Sequence, residues 1–225
     1  MKIKVVVFVF TLVTSIFVSA QNACTAYYPF TEGAKFEITH YSKKGKIENV
    51  TKYHVSKIDG NTATIEATVF DDKNKEITTT SYNVTCKGNS ISIDFKSLIN
   101  ADMLKQYKDM DLEFSGTNIE LPNDLDIGTQ LKDANMIMAI NMGGININIT
   151  MDIVNRRIDS KASITTTAGT FDCFVINYDT QVKMGIKTSF SVKEWIAEGV
   201  GVVKTETYNK KGKLMGYSEL TNISK

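Results

Sequence analysis

The sequence has 225 residues, of which 42% are hydrophobic and 23% are charged, and its formal net charge is +1 at pH 7. A chain of this length can bury a sizeable core as one domain. The balanced charge argues against a nucleic acid as the partner, because proteins that bind phosphate backbones carry an excess of lysine and arginine. After residue 20, no apolar run reaches the roughly 18 residues that a membrane-spanning helix requires, so no transmembrane helix is predicted in the mature chain.

The first 20 residues have the pattern of an export signal. Lys2 and Lys4 precede an apolar stretch over residues 5–13, and residues 18–20 read Val-Ser-Ala, a small-x-small cleavage pattern. Cleavage after Ala20 would remove two lysines and no acidic residue, which leaves 24 basic and 25 acidic residues and a net charge of −1. We predict that residues 21–225 form a single domain in the periplasm, at the cell surface or outside the cell.

Three cysteines remain after this cleavage, and the oxidising conditions outside the cytoplasm allow one disulfide. Cys173 lies between large apolar residues in TFDCFVIN, which predicts a buried free thiol. By elimination we predict a Cys24–Cys86 disulfide, with three buried and unpaired cysteines as the alternative. The residues before Cys24 lack the apolar residue that a lipid-attachment signal carries three positions upstream, so lipidation is not expected.

Strand patterns dominate the rest of the chain. In residues 61–70, apolar residues alternate with Thr64, Glu66 and Thr68, and residues 89–95 alternate in the same way. This period-two pattern is typical of half-buried strands in an antiparallel sheet, and Gly, Asn and Asp residues between such segments predict hairpin turns. We therefore predict a mainly β fold: a strongly curved antiparallel sheet or half-barrel with one short helix, or alternatively a two-sheet β-sandwich.

One segment has helical spacing. In residues 97–110, Ile99, Met103, Tyr107 and Met110 recur at intervals of three or four residues. Ser97 or Asn100 could cap the start of this helix. The helix would either cover an open side of the sheet or lie on the surface with one buried stripe.

Residues 135–153 read NMIMAINMGGININITMDI and predict an unusually apolar hairpin. Gly143-Gly144 favours a two-residue loop, which would pair Met142 with Ile145. Alternation then gives the hairpin one apolar wall. Because methionine is flexible and fits irregular surfaces, this wall either lines a lipid-sized cavity or forms ordinary core. The ligand-binding candidates in the first case are Met136, Met138, Met142, Ile147 and Met151.

Two segments resemble each other: YSKKGKI at residues 41–47 and YNKKGKL at residues 208–214. Each has lysines around a glycine with strand-like sequence on both sides. They predict two independent hairpin tips, at which Gly45 and Gly212 supply the positive φ that the turn needs. A duplicated half-fold is the alternative.

Catalytic and metal-binding motifs are absent from the sequence. It contains no Gly-x-Ser-x-Gly, His-Glu-x-x-His or Cys-x-x-Cys pattern and no glycine-rich phosphate loop. Two histidines, His40 and His54, are too few for a closed metal site. We therefore predict no catalytic residue, no metal and no cofactor.

The sequence resembles TapB-like exported bacterial envelope proteins, a family of poorly defined function. The resemblance is carried by CTAYYPFTEGAKFEITHYSKKGK, AGTFDCFVI, EWIAEGVGVVKTE and the last hairpin, beside the export signal. It implies a β-protein of the periplasm or cell surface and supplies no catalytic residues. A looser similarity, at the level of a curved sheet with a helix across its open side, is to LolA-like lipoprotein carriers.

These observations predict a non-enzymatic envelope protein that binds a protein partner or an apolar, lipid-like ligand. One alternative is a structural or assembly component that uses its sheet edges or lysine-bearing tips. Another is a hydrolase without a recognisable motif. A tightly packed interior would favour assembly, a cavity lined by the methionine-rich wall would favour ligand binding, and a cleft with convergent carboxylates or a histidine of shifted pKa would favour an enzyme.

Overall fold

The computed structural model describes residues 27–99, 110–142 and 145–224. These residues form a single antiparallel sheet of 13 strands. The mainly β prediction is therefore confirmed, and a single sheet is found where the alternative expected two packed sheets. The predicted export signal of residues 1–20 and Cys24 lie outside the described residues.

The strands follow each other along the chain with short turns between most of them. They are β1 (Lys35–Ser42), β2 (Ile47–Asp59), β3 (Thr62–Asp71), β4 (Glu76–Cys86), β5 (Ser90–Ile93), β6 (Asp111–Thr117), β7 (Ile119–Pro122), β8 (Ala134–Met142), β9 (Ile145–Thr166), β10 (Gly169–Met184), β11 (Ile186–Ala197), β12 (Gly201–Asn209) and β13 (Leu214–Ser224). A 3₁₀-helix, Phe95–Leu98, lies between β5 and β6.

The sheet curls until its two edges come close together. Its order is β6-β8-β9-β10-β11-β12-β13-β1-β2-β3-β4-β5-β7, and the edge strands β6 and β7 are separated along the chain only by Asn118. Asn118 Nδ2 donates to Ser92 Oγ on β5 at 3.1 Å. On the other side, the backbone N–H of Thr117 donates to Asn135 Oδ1 on β8 at 2.9 Å. The strongly curved sheet that was predicted is confirmed as a nearly closed ring of strands.

Alternation places the main core inside this ring. On β3, Ile65 is fully buried and its neighbour Glu66 is exposed. The neighbouring strands bury side chains on the same face, because Ile65 lies opposite Val55 on β2 and Tyr82 on β4. Burial of a large apolar side chain contributes roughly 1.5–3 kcal/mol. The buried members of this inner cluster are Tyr27, Tyr28, Ala34, Val55, Ala63, Ile65, Ala67, Tyr82, Val84, Ile91, Leu121, Leu125, Leu131, Ile158, Ile176 and Ile196.

A second, smaller cluster lies on the opposite face of β10 and β11. Val175 and Trp195 are paired neighbours in it, whereas Ile176 and Ile196 on the same strands belong to the inner cluster. Cys173 is part of the outer cluster and is a buried free thiol, as predicted. Burial raises the pKa of this thiol to about 11, so Cys173 is a poor nucleophile at neutral pH.

The helix predicted for residues 97–110 falls mostly on residues 100–109, which lie outside the described residues. At its predicted start the chain forms the 3₁₀-helix Phe95–Leu98, and Ile99 is extended. The cap of this short helix is Asp94, whose side chain accepts a hydrogen bond from the backbone N–H of Lys96 at 2.9 Å. Ser97 therefore lies inside the helical turn and does not cap it.

The apolar hairpin has the predicted register. Met136 pairs with Met151, Met138 with Ile149 and Met142 with Ile145, while Gly143 and Gly144 lie outside the described residues. Met136 and Met138 are fully buried. Met138 packs in a cluster with Ile140 and Ile149, which Leu112, Phe114, Ile147 and Val182 complete.

A substitution at Met138 tests how tightly this cluster is packed. We expect Met138→Trp to lower the free energy of unfolding by about 1–3 kcal/mol, because a larger ring has to displace its neighbours, whereas Met138→Leu should cost less than about 1.5 kcal/mol. Urea unfolding followed by circular dichroism measures both. Equal stability of wild type and Met138→Trp would show that free space adjoins Met138 and would support the cavity-wall hypothesis.

Thiol chemistry tests the predicted Cys24–Cys86 disulfide. The native protein should not react with iodoacetamide, because Cys173 is buried, and unfolding without a reductant should expose one reactive thiol per chain. Mass spectrometry of the alkylated protein counts the thiols. The Cys173→Ser variant should show none, whereas three reactive thiols in the unfolded wild type would contradict the disulfide.

Candidate functional site

The inner face of the ring of strands borders an open cavity of about 260 Å³. Its walls come from both halves of the sheet and from the segment before β1. The side chains around it are mainly apolar or aromatic, with a few polar groups among them. The lining residues are Tyr27, Tyr28, Pro29, Phe36, Ile38, His40, Tyr53, Tyr82, Ile93, Ser97, Leu98, Ile119, Leu121, Ile153, Arg156, Ile176, Tyr178, Glu194, Val200, Gly201, Val202, Thr205 and Ser218.

Aromatic rings form one wall of the cavity. Phe36 on β1 stacks on Tyr53 of β2 with ring centroids 4.5 Å apart, and Tyr28 meets Phe36 edge-on at 6.2 Å. The hydroxyls of Tyr28 and Tyr82 are 2.7 Å apart and form a hydrogen bond. Burial raises the pKa of Tyr53 to about 12, so its phenol is neutral at physiological pH. This wall is therefore mainly apolar, and the hydroxyls of Tyr28 and Tyr82 satisfy each other.

Arg156 brings a cationic group into this apolar interior. Its side chain is buried, and its Nη1 donates to the carbonyl oxygens of Glu120 on β7 at 3.1 Å and of Lys132 at 2.6 Å. A guanidinium has five N–H donors, so Arg156 retains donor capacity toward the cavity that it lines. Burial lowers the pKa of Arg156, yet a guanidinium remains charged at any physiological pH.

A local irregularity in β9 turns Arg156 inward. The pairing of β9 with β10 shifts register between Asn177 and Asp179, and Asn155 on β9 has a φ of 58°. An extra residue in one strand reverses which side chains face inward beyond it. As a result Ile153 and Arg156, three residues apart, both line the cavity.

Glu194 and Tyr178 form a second polar group on the facing strands β11 and β10. Tyr178 donates from its hydroxyl to Glu194 Oε2 at 3.2 Å. Burial raises the pKa of the Glu194 carboxyl, while the positive charge of Arg156 and the hydrogen bond from Tyr178 counteract that rise. Both side chains line the cavity, and both are half-buried.

His40 on β1 completes the polar part of the lining. Its Nε2 lies 3.4 Å from Thr51 Oγ1, and burial lowers its pKa to about 4. The imidazole is therefore neutral at pH 7. Thr205 and Ser218 on β12 and β13 add hydroxyls to the same lining.

Size and polarity limit what the cavity can hold. An apolar cavity of about 150 Å³ accommodates benzene, so by proportion the 260 Å³ found here suits a molecule of roughly ten non-hydrogen atoms. Such a molecule would have an apolar body against the aromatic wall and a polar end near Arg156 and Glu194.

The predicted methionine-rich wall lies elsewhere. Met136, Met138, Ile147 and Met151 are absent from the cavity lining, and the side chain of Met142 lies outside what the structure describes. Ile153, at the end of the same apolar stretch, does line the cavity. A ligand-binding role for the methionine-rich wall stays a prediction.

Sequence reasoning missed Arg156, although a signal was present. Arg156 and Arg157 are the only arginines in a chain that otherwise uses lysine for its positive charges. They stand next to each other inside a strand-like segment, between Ile153 and Ile158. Of the two, Arg156 is buried and Arg157 is exposed. A guanidinium in a buried strand needs partners, and that need points to a polar site.

The two histidines do not meet. In the β1–β2 ladder His40 pairs with Asn49, and His54 pairs with Lys35, five positions along the strand. His54 Nδ1 lies 3.8 Å from a carboxylate oxygen of Glu66. Among the described residues, no group of three or more His, Cys, Asp or Glu side chains is arranged to hold a metal ion.

The comparisons with known proteins give a family and a fold. The chain is a curved, all-antiparallel β protein with a cavity on the inner face of its sheet. The chain belongs to the DUF3108-like family, which it matches over residues 31–220. No curated protein matches the chain.

Two solved structures share this fold. One is a Bacteroides fragilis protein described as exported and as having a YmcC-like fold; it is 21% identical, with a TM-score of 0.75 over 90% of this chain and 100% of that chain. The other is a Parabacteroides distasonis protein described as a lipoprotein; it is 22% identical, with a TM-score of 0.75 over 89% of this chain and 99% of that chain. At 21% and 22% identity, these two likenesses show the fold of the chain.

Within residues 27–99, 110–142 and 145–224, no helix is long and apolar enough to cross a lipid bilayer.

The buried histidine predicts a component of acid sensitivity. Because the pKa of His40 is about 4 in the folded protein and about 6.5 in an unfolded chain, the unfolded state binds more protons between these values. The contribution of the neutral His40 imidazole to the free energy of unfolding is present in full above about pH 6.5 and is lost as the pH falls toward 4. Between pH 7 and pH 4.5 the wild type should lose roughly 2–3 kcal/mol more than His40→Gln.

Urea unfolding at several pH values measures this difference directly. Other groups contribute equally to both proteins, so the comparison isolates His40. Parallel pH curves for the wild type and His40→Gln would show that the imidazole is not shielded from protonation.

Proposed function

We propose that this protein is a non-enzymatic, exported envelope protein that binds a small, mainly apolar molecule with a hydrogen-bonding head inside its curved sheet. The observation that carries the proposal is the cavity itself, in which an aromatic and aliphatic lining surrounds Arg156, Glu194 and Tyr178. Ligand sites are typically concave and apolar, with a few polar groups that fix the orientation of the ligand.

Export is supported by the sequence and by the descriptions of the similar structures. Residues 1–20 have the pattern of an export signal. The sequence resembles TapB-like envelope proteins, and the two similar structures are described as an exported protein and a lipoprotein. We propose a location in the periplasm or at the cell surface.

The polar groups favour a ligand head that accepts hydrogen bonds. The Arg156 guanidinium is a donor only, and part of its donor capacity is directed to the cavity. The nearby Glu194 carboxyl partly compensates the positive charge. A carbonyl, hydroxyl or carboxylic acid at the end of a short apolar chain or ring therefore fits both the charge and the volume of the site.

An enzyme is the second candidate, because Glu194, Tyr178 and His40 share one cavity and all three have shifted pKa values. Such clusters are enriched at active sites. A general base works best when its pKa is near the operating pH, and His40, with a pKa of about 4, is a weak base. The lining also contains one carboxylate where glycoside hydrolysis needs two. We therefore favour binding over catalysis, and favour both over a purely structural role because the interior is not fully packed.

Small amphiphiles of matching size test the proposal. We expect n-octanol and n-octanoate to raise the melting temperature of the purified protein in a concentration-dependent manner, because a ligand that binds only the folded state stabilises it. The Val202→Phe variant should lose this response, since Val202 lines the cavity and the added ring occupies its volume. Differential scanning calorimetry measures the shift, and isothermal titration calorimetry measures the affinity.

Ser81→Phe is the matched control. Ser81 is exposed on β4 opposite Glu66, on the outer face of the sheet, so the same added ring lies outside the cavity and the response should remain. Native mass spectrometry of protein purified without detergent gives a second readout, in which a bound molecule appears as an extra mass that organic solvent extracts. A bare mass together with no thermal response to either amphiphile would contradict ligand binding and would favour a role in assembly.

A further inference from the structure

One end of the sheet carries several hairpin turns side by side. Antiparallel pairing places the β1–β2, β3–β4, β10–β11 and β12–β13 turns at the same end of the ring. We define the tip surface as these turns with their flanking residues: 43–48, 71–76, 183–187 and 210–215. The two similar sequence segments, YSKKGKI and YNKKGKL, both belong to this surface.

Contacts hold neighbouring turns together. Tyr41 and Tyr217, at the base of the β1–β2 and β12–β13 turns, stack with ring centroids 4.8 Å apart. Lys46 forms an ion pair with Asp72 across the β1–β2 and β3–β4 turns at 3.3 Å. The β10–β11 hairpin is joined to the β12 end by the pairing of Phe190 with Asn209. The tip surface is therefore one continuous region of the molecule.

The two similar turns have the same backbone structure. In each, the glycine N–H donates to the carbonyl of the residue three positions earlier: Gly45 to Ser42 at 2.9 Å, and Gly212 to Asn209 at 2.8 Å. Both glycines have positive φ, 77° and 69°, a backbone conformation that other residues rarely adopt. Tight turns of this kind present their lysines at fixed positions.

Positive charge is concentrated on the tip surface. It contains ten lysines and four acidic residues, a net charge of +6, although the predicted mature chain as a whole has a net charge of −1. All ten lysines are exposed. The remainder of the mature chain therefore carries a net charge of −7, and the molecule is strongly polarised toward this end.

Apolar side chains project among these lysines. Of the six large apolar residues that are exposed in the described part of the chain, four belong to the tip surface: Ile47, Met184, Ile186 and Met215. Ile186, beside the β10–β11 turn, is 84% exposed, the highest value among them. One end of the molecule therefore carries exposed apolar side chains together with its excess of lysines.

We propose that the tip surface docks on an anionic phospholipid bilayer, with the lysines at the headgroups and the exposed apolar side chains inserted between them. Basic residues near a membrane are attracted by anionic lipids, and shallow insertion of apolar side chains adds to that attraction. The long lysine side chains can keep their ammonium groups at the headgroups while the turns approach the membrane.

The composition of the tip surface argues against a protein as its partner. The apolar core of a protein–protein interface is depleted in lysine. Here the apolar side chains are distributed over three separate hairpins and separated by lysines, so they do not form one continuous patch. This proposal concerns a different region from the cavity and does not depend on whether the cavity binds a ligand.

Vesicle flotation tests the proposal. The protein, with its leader removed, should float with vesicles of phosphatidylethanolamine and phosphatidylglycerol and should not float with pure phosphatidylcholine. Binding should weaken as salt is added, because salt screens exposed charges. The triple variant Lys44→Glu/Lys210→Glu/Lys211→Glu should bind the anionic vesicles at least about tenfold more weakly.

A second triple variant provides the matched control. Lys57→Glu/Lys87→Glu/Lys96→Glu makes the same change in net charge at exposed lysines outside the tip surface, and it should bind within about twofold of the wild type. Met184→Ser/Ile186→Ser keeps the charge and should still weaken binding several-fold, which separates insertion from charge alone. All of these positions are exposed, and circular dichroism confirms that each variant is folded.

Three results would overturn the proposal. Equal loss of binding in the two triple variants would show that only net charge matters. Equal binding to anionic and neutral vesicles would exclude a role for the lysines. A protein that floats with neither kind of vesicle would also overturn the proposal. In that case, a crosslink in cells between the tip surface and a protein, abolished by the tip variant, would identify the surface as a protein-docking site.

Discussion

The Arg156 guanidinium spans the gap between the two edges of the sheet, and the interior of the protein depends on that contact. From β9 it donates to the carbonyl of Glu120 on the edge strand β7 and to that of Lys132 just before β8. Hydrogen bonds from a charged donor contribute about 1.5–3 kcal/mol each. Without Arg156, two carbonyls near the interior would lose their donors and Glu194 would lose its nearest compensating charge. The same side chain thus closes the ring and makes its interior polar at one point.

Closure of the ring also explains why the interior is not filled. Strands spaced around a curved sheet direct large side chains toward one centre, and here those side chains include five tyrosines and Phe36. Flat aromatic rings stack along the walls, as Phe36 does on Tyr53, and leave space between them. Tyrosine hydroxyls also require partners when buried, which the Tyr28–Tyr82 pair provides. The cavity and its polar groups are therefore a direct consequence of the architecture.

The molecule has two distinct regions with different chemistry. Inside the ring, burial suppresses charge: it raises the pKa of Glu194 and lowers that of His40. On the tip surface the lysines are exposed to solvent, and ten of them against four acidic residues give a net charge of +6. The experiments on the two regions are independent, so either role can fail while the other stands.

Local patterns in the sequence determined a large part of this structure. Period-two alternation predicted the strands, the Gly-Gly loop predicted the pairing of Met142 with Ile145, and the apolar neighbours of Cys173 predicted its burial as a free thiol. The short 3₁₀-helix capped by Asp94 was not predicted, because a single turn leaves no periodic pattern. Apart from the curvature of the sheet, each of these predictions concerned residues close together in the chain.

Tertiary structure alone decided the site. The pairings of β1 with β13 and of β5 with β7 join distant segments, and they bring His40, Arg156 and Glu194 around one cavity. An irregularity in β9 turns Arg156 inward, and alternation read along the sequence does not reveal where such a shift occurs. The apolar hairpin was identified correctly, but its role stays a prediction, because an apolar face is the same in sequence whether it meets packed core or open space. The sequence determined which side chains avoid water, and the closing of the sheet determined which of them surround a cavity.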